Sequence, residues 1–130
     1  MKRLLVDSSA WIQSFSKHPD ESIVKTILGA KKNKRLSTCG MICLEVLRGT
    51  RSKVEYTEIK EEFQAMTWLP IEDSHWDIAG QIGFLLAQKG LSPPSTDLLI
   101  AAVAIHEDCQ LLHKDKHFVQ IAHYFPLRLV

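Results

Sequence analysis

The sequence predicts an α/β fold of three layers, a small parallel sheet of four or five strands with helices on both faces. Three observations predict it. Short runs of branched apolar residues alternate with segments of helical periodicity, the pattern of parallel strands joined by crossovers. The first run, Leu4-Leu5-Val6, stops at Asp7 and turns at once into a helical pattern. A late segment, Asp97 to His106, is apolar nearly all round, as a helix enclosed by other layers is. The 130 residues suit one domain, spanning 1–130. A chain of that size buries roughly 68% of its unfolded surface, enough for one proper core.

Each element follows from local chemistry. Asp7 ends the first strand, and Trp11, Ile12 and Phe15 share one side of the helix after it. Asp20 is placed to cap a second helix, with Ile23, Val24, Ile27 and Leu28 as its apolar face and Gly29 near its end. Residues 35–38 are a short candidate strand. Thr38 is expected to cap a third helix, from about Cys39 to Arg48, that stops at Gly49. Lys53 to Met66 reads as an amphipathic helix with Val54, Tyr56, Ile59, Phe63 and Met66 as its apolar positions. Thr67 to Ile71 reads as extended. Asp73 and Ser74 start a long helix carrying Trp76, Ile78, Ala79, Ile82, Leu85 and Leu86, which ends at Gly90. Ser95 or Thr96 is expected to cap the enclosed helix. Cys109 to His113 is a short buried strand, Phe118 and Ile121 mark a last helix, and residues 127–130 an edge strand.

Bulk composition excludes several classes. Hydrophobic content of 45% and charged content of 24% are ordinary globular values, and a net charge of +1 leaves any basic footprint local. Three cysteines, Cys39, Cys43 and Cys109, form no CxxC pair, so neither a disulfide framework nor a zinc ribbon is suggested. They read as buried thiols of a reducing compartment. The apolar run after Met1-Lys2-Arg3 is too short for a signal peptide, and Leu98 to Ile105 is too short to span a bilayer. A soluble, cytoplasmic protein with no membrane partner is expected. The basic run Lys31-Lys32-Asn33-Lys34-Arg35 is either a solvated helix end or a nucleic-acid patch. Trp68 and Trp76 are expected to pack in the core.

Four acids stand out. Asp7, Asp97 and Asp115 each have an ordinary reading, as a helix cap or a first-turn acid. Glu45 has one as well, on a solvent stripe or paired to Arg48, but its neighbours Met41, Ile42, Cys43, Leu44, Val46 and Leu47 are apolar, and a lone buried carboxylate is costly. Asp7 and Asp115 each follow a buried strand, which puts both at the carboxyl edge of a parallel sheet, where ligands bind. Four gathered carboxylates repel one another unless a cation binds. Mg²⁺ or Mn²⁺ suits such a set, and two ions about 3.5–4 Å apart would suit phosphodiester chemistry. Arg48, one helical turn from Glu45, is available either for phosphate or for a salt bridge to Glu45.

Four stretches, Leu5-Val6-Asp7-Ser8-Ser9-Ala10-Trp11-Ile12, Glu45-Val46-Leu47-Arg48-Gly49, Thr96-Asp97-Leu98-Leu99-Ile100-Ala101-Ala102 and Leu112-His113-Lys114-Asp115-Lys116-His117-Phe118, resemble PIN-domain proteins of the VapC toxin type in order and spacing. The resemblance spans essentially the whole chain. It implies a PIN-like fold and a Mg²⁺- or Mn²⁺-dependent endoribonuclease, neutralised by a cognate antitoxin and often homodimeric. It carries over Asp7, Glu45, Asp97 and Asp115 as catalytic, metal-binding acids, with Ser8 and Thr96 supporting them. The chain departs from the family's usual residues at His113, where a hydroxyl is common, and at His117, where a second acid is common. His117 is available to bind phosphate, to hold Asp115, or to stand as an exposed turn residue. Three rivals remain: a non-catalytic RNA-binding module, a receiver- or phosphatase-like domain with Asp7 as nucleophile, and a partner-binding protein with no nucleic-acid role.

Overall fold

Leu4, Leu5 and Val6 are all buried, so both faces of the strand they form are covered. The computed structural model describes residues 2–130. Its elements run β1 (Leu4–Val6), α1 (Ser8–Ser14), α2 (Glu21–Lys32), β2 (Leu36–Thr38), α3 (Gly40–Leu47), α4 (Lys53–Gln64), β3 (Thr67–Trp68), α5 (Asp73–Ala87), α6 (Ser95–His106), β4 (Gln110–Leu112), α7 (Lys116–Tyr124) and β5 (Arg128–Leu129). All five strands are parallel, in the order β3-β2-β1-β4-β5. The chain therefore builds outward from β1 to one side, then returns to build the other side. The reversal falls between β1 and β4, where Val6 pairs with Leu112. That is the position at which an open α/β sheet leaves a crevice beyond its carboxyl edge.

The expected α/β architecture is the observed one. The enclosed helix is α6, buried without interruption from Leu99 to Ala104 and packed on α5, α3, α7 and β4. The basic run is the solvated end of α2, with Lys31 and Lys32 in its last turn. All three cysteines are buried and free. Phe63 is fully buried, with its ring 5.1 Å from that of Trp11, and joins α4 to α1. Phe63→Ala is expected to cost about 3–5 kcal/mol, because the ring's contacts vanish and the cavity collapses only in part. Urea unfolding should show a lower midpoint with an unchanged slope.

Several local expectations are corrected. Thr38 is the last residue of β2, paired with Trp68, so Cys39 takes the cap position of α3 without a side-chain bond. Pro94, rather than Ser95 or Thr96, precedes α6. The buried face of α5 is His75, Ala79, Ile82 and Leu86, rotated from the expected one. His75 turns inward because its Nδ1 accepts the Glu72 backbone N–H at 2.9 Å, which leaves Trp76 56% exposed. Trp68 is 43% exposed, since β3 is the sheet's edge, although its indole N–H bonds the Phe63 carbonyl. Ile12, Phe15, Leu28, Val54 and Tyr56 are exposed rather than core residues. Among the described residues, no helix is long and apolar enough to cross a membrane.

Candidate metal centre

Asp7 occupies the carboxyl end of β1 and is also the N-cap of α1. Its backbone N–H bonds the Leu112 carbonyl at 2.9 Å, which fastens it to β4. The side chain is 3% exposed, and its Oδ2 accepts from the Ser9 N–H at 3.0 Å and the Ser9 hydroxyl at 2.6 Å. Burial nevertheless raises the Asp7 carboxyl above its ordinary value, outweighing the Ser9 bonds, and the charge of Asp115 adds to the rise.

Asp115 caps α7 just beyond β4, with its Oδ1 accepting the His117 N–H at 2.9 Å. Asp97 stands in the first turn of α6, 8% exposed, and its Oδ2 has no hydrogen bond among the described residues. Burial, then the adjacent Asp115 carboxylate, then the charges of Asp7 and Glu45 push Asp97 up to about 8. Of the two, Asp97 is the one whose ionisation its surroundings oppose. Burial opposes ionisation of Asp115, but bonds from the His117 N–H, the Asp97 carboxyl and the His117 ring outweigh it and hold Asp115 below the usual carboxylate range.

Glu45 reaches the crevice from the flank of α3, and the expected burial among apolar residues is corrected. The helix buries Ile42, Cys43 and Val46, while Leu44 is 59% exposed and Glu45 is half-buried. The Ser8 hydroxyl donates to Glu45 Oε1 at 3.2 Å. Desolvation raises the Glu45 carboxyl, the Ser8 bond and the charge of Arg48 lower it, and the charge of Asp7 raises it further. Arg48 is exposed and makes no ion pair within 4 Å among the described residues, which leaves it available to an anion.

The structure thus brings all four acids, from four separate segments, within electrostatic reach of one another. Thr96 lies beside Asp97, but its hydroxyl makes no hydrogen bond among the described residues. His117 is drawn in, with Nδ1 2.7 Å from Asp115 Oδ1 and 3.3 Å from Asp97 Oδ2. His113 is not: its Nδ1 accepts the Asp115 N–H at 3.1 Å, and burial lowers its pKa, so it is a neutral brace for the turn.

One contributor escaped the sequence reading. The Ser9 hydroxyl donates to Asp7 and accepts the Lys114 N–H at 2.9 Å, joining the two turns that carry Asp7 and Asp115. The signal was available, because a hydroxyl two residues after an Asp favours this side-chain turn. Ser9→Ala should weaken Mn²⁺ binding by about tenfold through loss of aim on Asp7, with near-native helix content. Calorimetric titration alongside circular dichroism checks it.

The donor set fits a divalent cation. The buried Asp97 Oδ2 makes no hydrogen bond among the described residues, four carboxylates act on one another there, and ligand atoms of Asp97, Asp115 and His117 all lie within 4.8 Å of one another. The acids gather beyond the carboxyl edge of a small parallel sheet, beside its switch point, and the chain belongs to the PIN domain family, matched over residues 4–124. Within that family its relatives include the VapC ribonuclease Mb1587 of Mycobacterium bovis and ribonuclease VapC11 of Mycobacterium tuberculosis. Each is 28% identical over 123 residues, covering 92% of this chain and 91% of the relative. Similar folds include VapBC2 from Rickettsia felis bound to a promoter DNA fragment (TM-score 0.79, 22% identity, 98% of this chain and 96% of that one). FitAcB from Neisseria gonorrhoeae is another (TM-score 0.77, 15% identity, 97% and 95%).

Proposed function

We propose that this chain is a metal-dependent endoribonuclease of the VapC toxin kind, held in check by a cognate antitoxin. The observation that carries the reading is Asp97, nearly buried and pushed up to about 8 by burial and by three other carboxylates. A pocket so arranged is poorly tolerated without a cation. Asp7, Glu45, Asp97 and Asp115 would hold Mg²⁺ or Mn²⁺, directly or through water. The bound ion would supply an acidified water and offset charge at the phosphorus.

The protein's own groups do the rest. Ser9 fixes the carboxylate of Asp7, and Ser8 fixes that of Glu45. Glu45, half-buried and raised, is suited to take a proton from an attacking water. Arg48 offers a charge-assisted contact to a backbone phosphate. The phosphatase-like reading is disfavoured, because Asp7 is 3% exposed and its Oδ2 is engaged twice by Ser9.

An antitoxin has two features to engage. One is the acidic crevice, which suits a basic side chain. The other is a groove of about 360 Å³ between α1, α2 and α4, lined in part by Trp11, Phe15, Val24, Leu28 and Ile59. Phe15 and Leu28 stand 51% and 58% exposed there, an apolar surface suited to a partner's amphipathic segment. The VapC ribonuclease relatives and the VapBC2 fold support an RNA substrate and an antitoxin partner, and the homodimer rests on the family resemblance. The deciding experiment expresses the wild type and Asp7→Asn in a bacterium and maps RNA ends. Growth arrest with discrete new ends is expected from the wild type alone. Equal cleavage by the variant, or none by either, overturns the reading.

A further inference from the structure

We infer that His117 is itself a metal ligand, so that this crevice favours a first-row transition cation such as Mn²⁺ over Mg²⁺; the inference rests on the metal-dependent reading above. His117 Nδ1 lies 2.7 Å from Asp115 Oδ1 and 3.3 Å from Asp97 Oδ2. Neighbouring ligands on an octahedral ion with bonds near 2.1 Å are about 3 Å apart, so the two distances from His117 Nδ1 match neighbouring positions of one coordination shell, and ligand atoms of all three residues lie within 4.8 Å of one another. The second observation is Asp97 Oδ2, on a residue 8% exposed overall, an atom sealed from solvent that makes no hydrogen bond among the described residues and lies 3.3 Å from His117 Nδ1.

The backbone sets the arrangement. Asp115 caps α7, and the His117 N–H donates to the same Oδ1 that faces the ring, so imidazole and carboxylate are held on one turn. The His117 and Asp115 side chains are 28% and 27% exposed, against 11% for Asp97, so the cluster opens to solvent on their side. Coordination through Nδ1 requires the neutral ring with its proton on Nε2. In the tautomer protonated on Nδ1, entry of the ion moves that proton to Nε2 through solvent, so the ring stays neutral. His113 cannot substitute, because its Nδ1 is taken by the Asp115 N–H.

The consequence is selectivity. Mg²⁺ demands oxygen ligands and releases its waters reluctantly, whereas imidazole nitrogen suits transition cations. An acid at this position would leave an all-oxygen set open to Mg²⁺. His117 tilts the site away from it.

The test uses the full chain, loaded with Mn²⁺ alone and, separately, with Mg²⁺ alone. Pulsed electron paramagnetic resonance of the Mn²⁺-loaded wild type should show coupling to an imidazole ¹⁴N, and His117→Gln should lose it. Calorimetric titration should show Mn²⁺ binding weakened about ten- to a hundred-fold in His117→Gln, at least what losing a partner behind a ligand costs. Mg²⁺ binding should stay within about twofold in that variant and tighten in His117→Asp, where an oxygen ligand returns. Mn²⁺ bound without ¹⁴N coupling in the wild type would overturn the inference, leaving His117 as a hydrogen-bond partner of Asp115 and the nuclease reading intact. A wild type that binds neither ion would overturn both. The wild-type spectrum needs no variant to fold, and thermal melts verify the variants.

Discussion

Asp97→Asn is expected to lower RNA cleavage by about a hundred- to a thousand-fold while raising the melting temperature of the metal-free protein at pH 8. The two effects share one cause. Asp97 ordinarily titrates at 3.8 and is pushed up to about 8 in the folded chain, first by burial. A carboxyl raised on folding binds its proton more tightly in the native state, so metal-free stability falls as pH rises from about 4 to 8 and is level above that. The amide carries no charge and escapes this loss. Its stabilisation should therefore be small near pH 4, grow through neutrality and be largest at pH 8 and above. For a chain of this size each kcal/mol relieved shifts the melting temperature by about 3–5 °C. Calorimetric melts of both proteins in chelator, at pH 4.5 and pH 8, decide it. A variant that melts lower than the wild type at pH 8 would show that Asp97 is held by favourable partners.

The second expected result is steep pH dependence of metal binding. To take a cation, Asp97 must give up a proton that it holds up to about pH 8. The apparent affinity for Mn²⁺ should rise about tenfold per pH unit between pH 6 and 8 and level off above that, a hundredfold span. About one proton should be released per ion at pH 7, read as a heat of binding that changes with the ionisation enthalpy of the buffer. In Asp97→Asn the slope should shrink along with the affinity. A flat profile in the wild type would mean that Asp97 is not a ligand.

The acids were legible to different degrees, for physical reasons. Asp7 and Asp115 follow strands whose apolar runs end abruptly, and an acid after a buried parallel strand is at the carboxyl edge by topology alone. Both also cap helices, as their ordinary reading required, so capping and crowding coexist on the same side chains. Glu45 was singled out for a reason the structure corrects. Helical periodicity showed apolar neighbours all round, but Leu44 is exposed, and Glu45 meets the crevice from a half-buried flank. The phase of α5 was misread because Trp76 outweighs His75 on any hydrophobic count. What turns His75 inward is a backbone N–H, and no hydropathy pattern records that bond. Ser9 was missed because half of its role lies 105 residues away, at Lys114. Contacts between distant segments are what one sequence hides best.

The pairing of β4 beside β1 has a consequence for the order of synthesis. The wall of the pocket that Asp115 supplies emerges from the ribosome more than a hundred residues after the floor made by Asp7. A nascent chain carries its first acid early but has nowhere to gather the others until β4 has been made and paired beside β1.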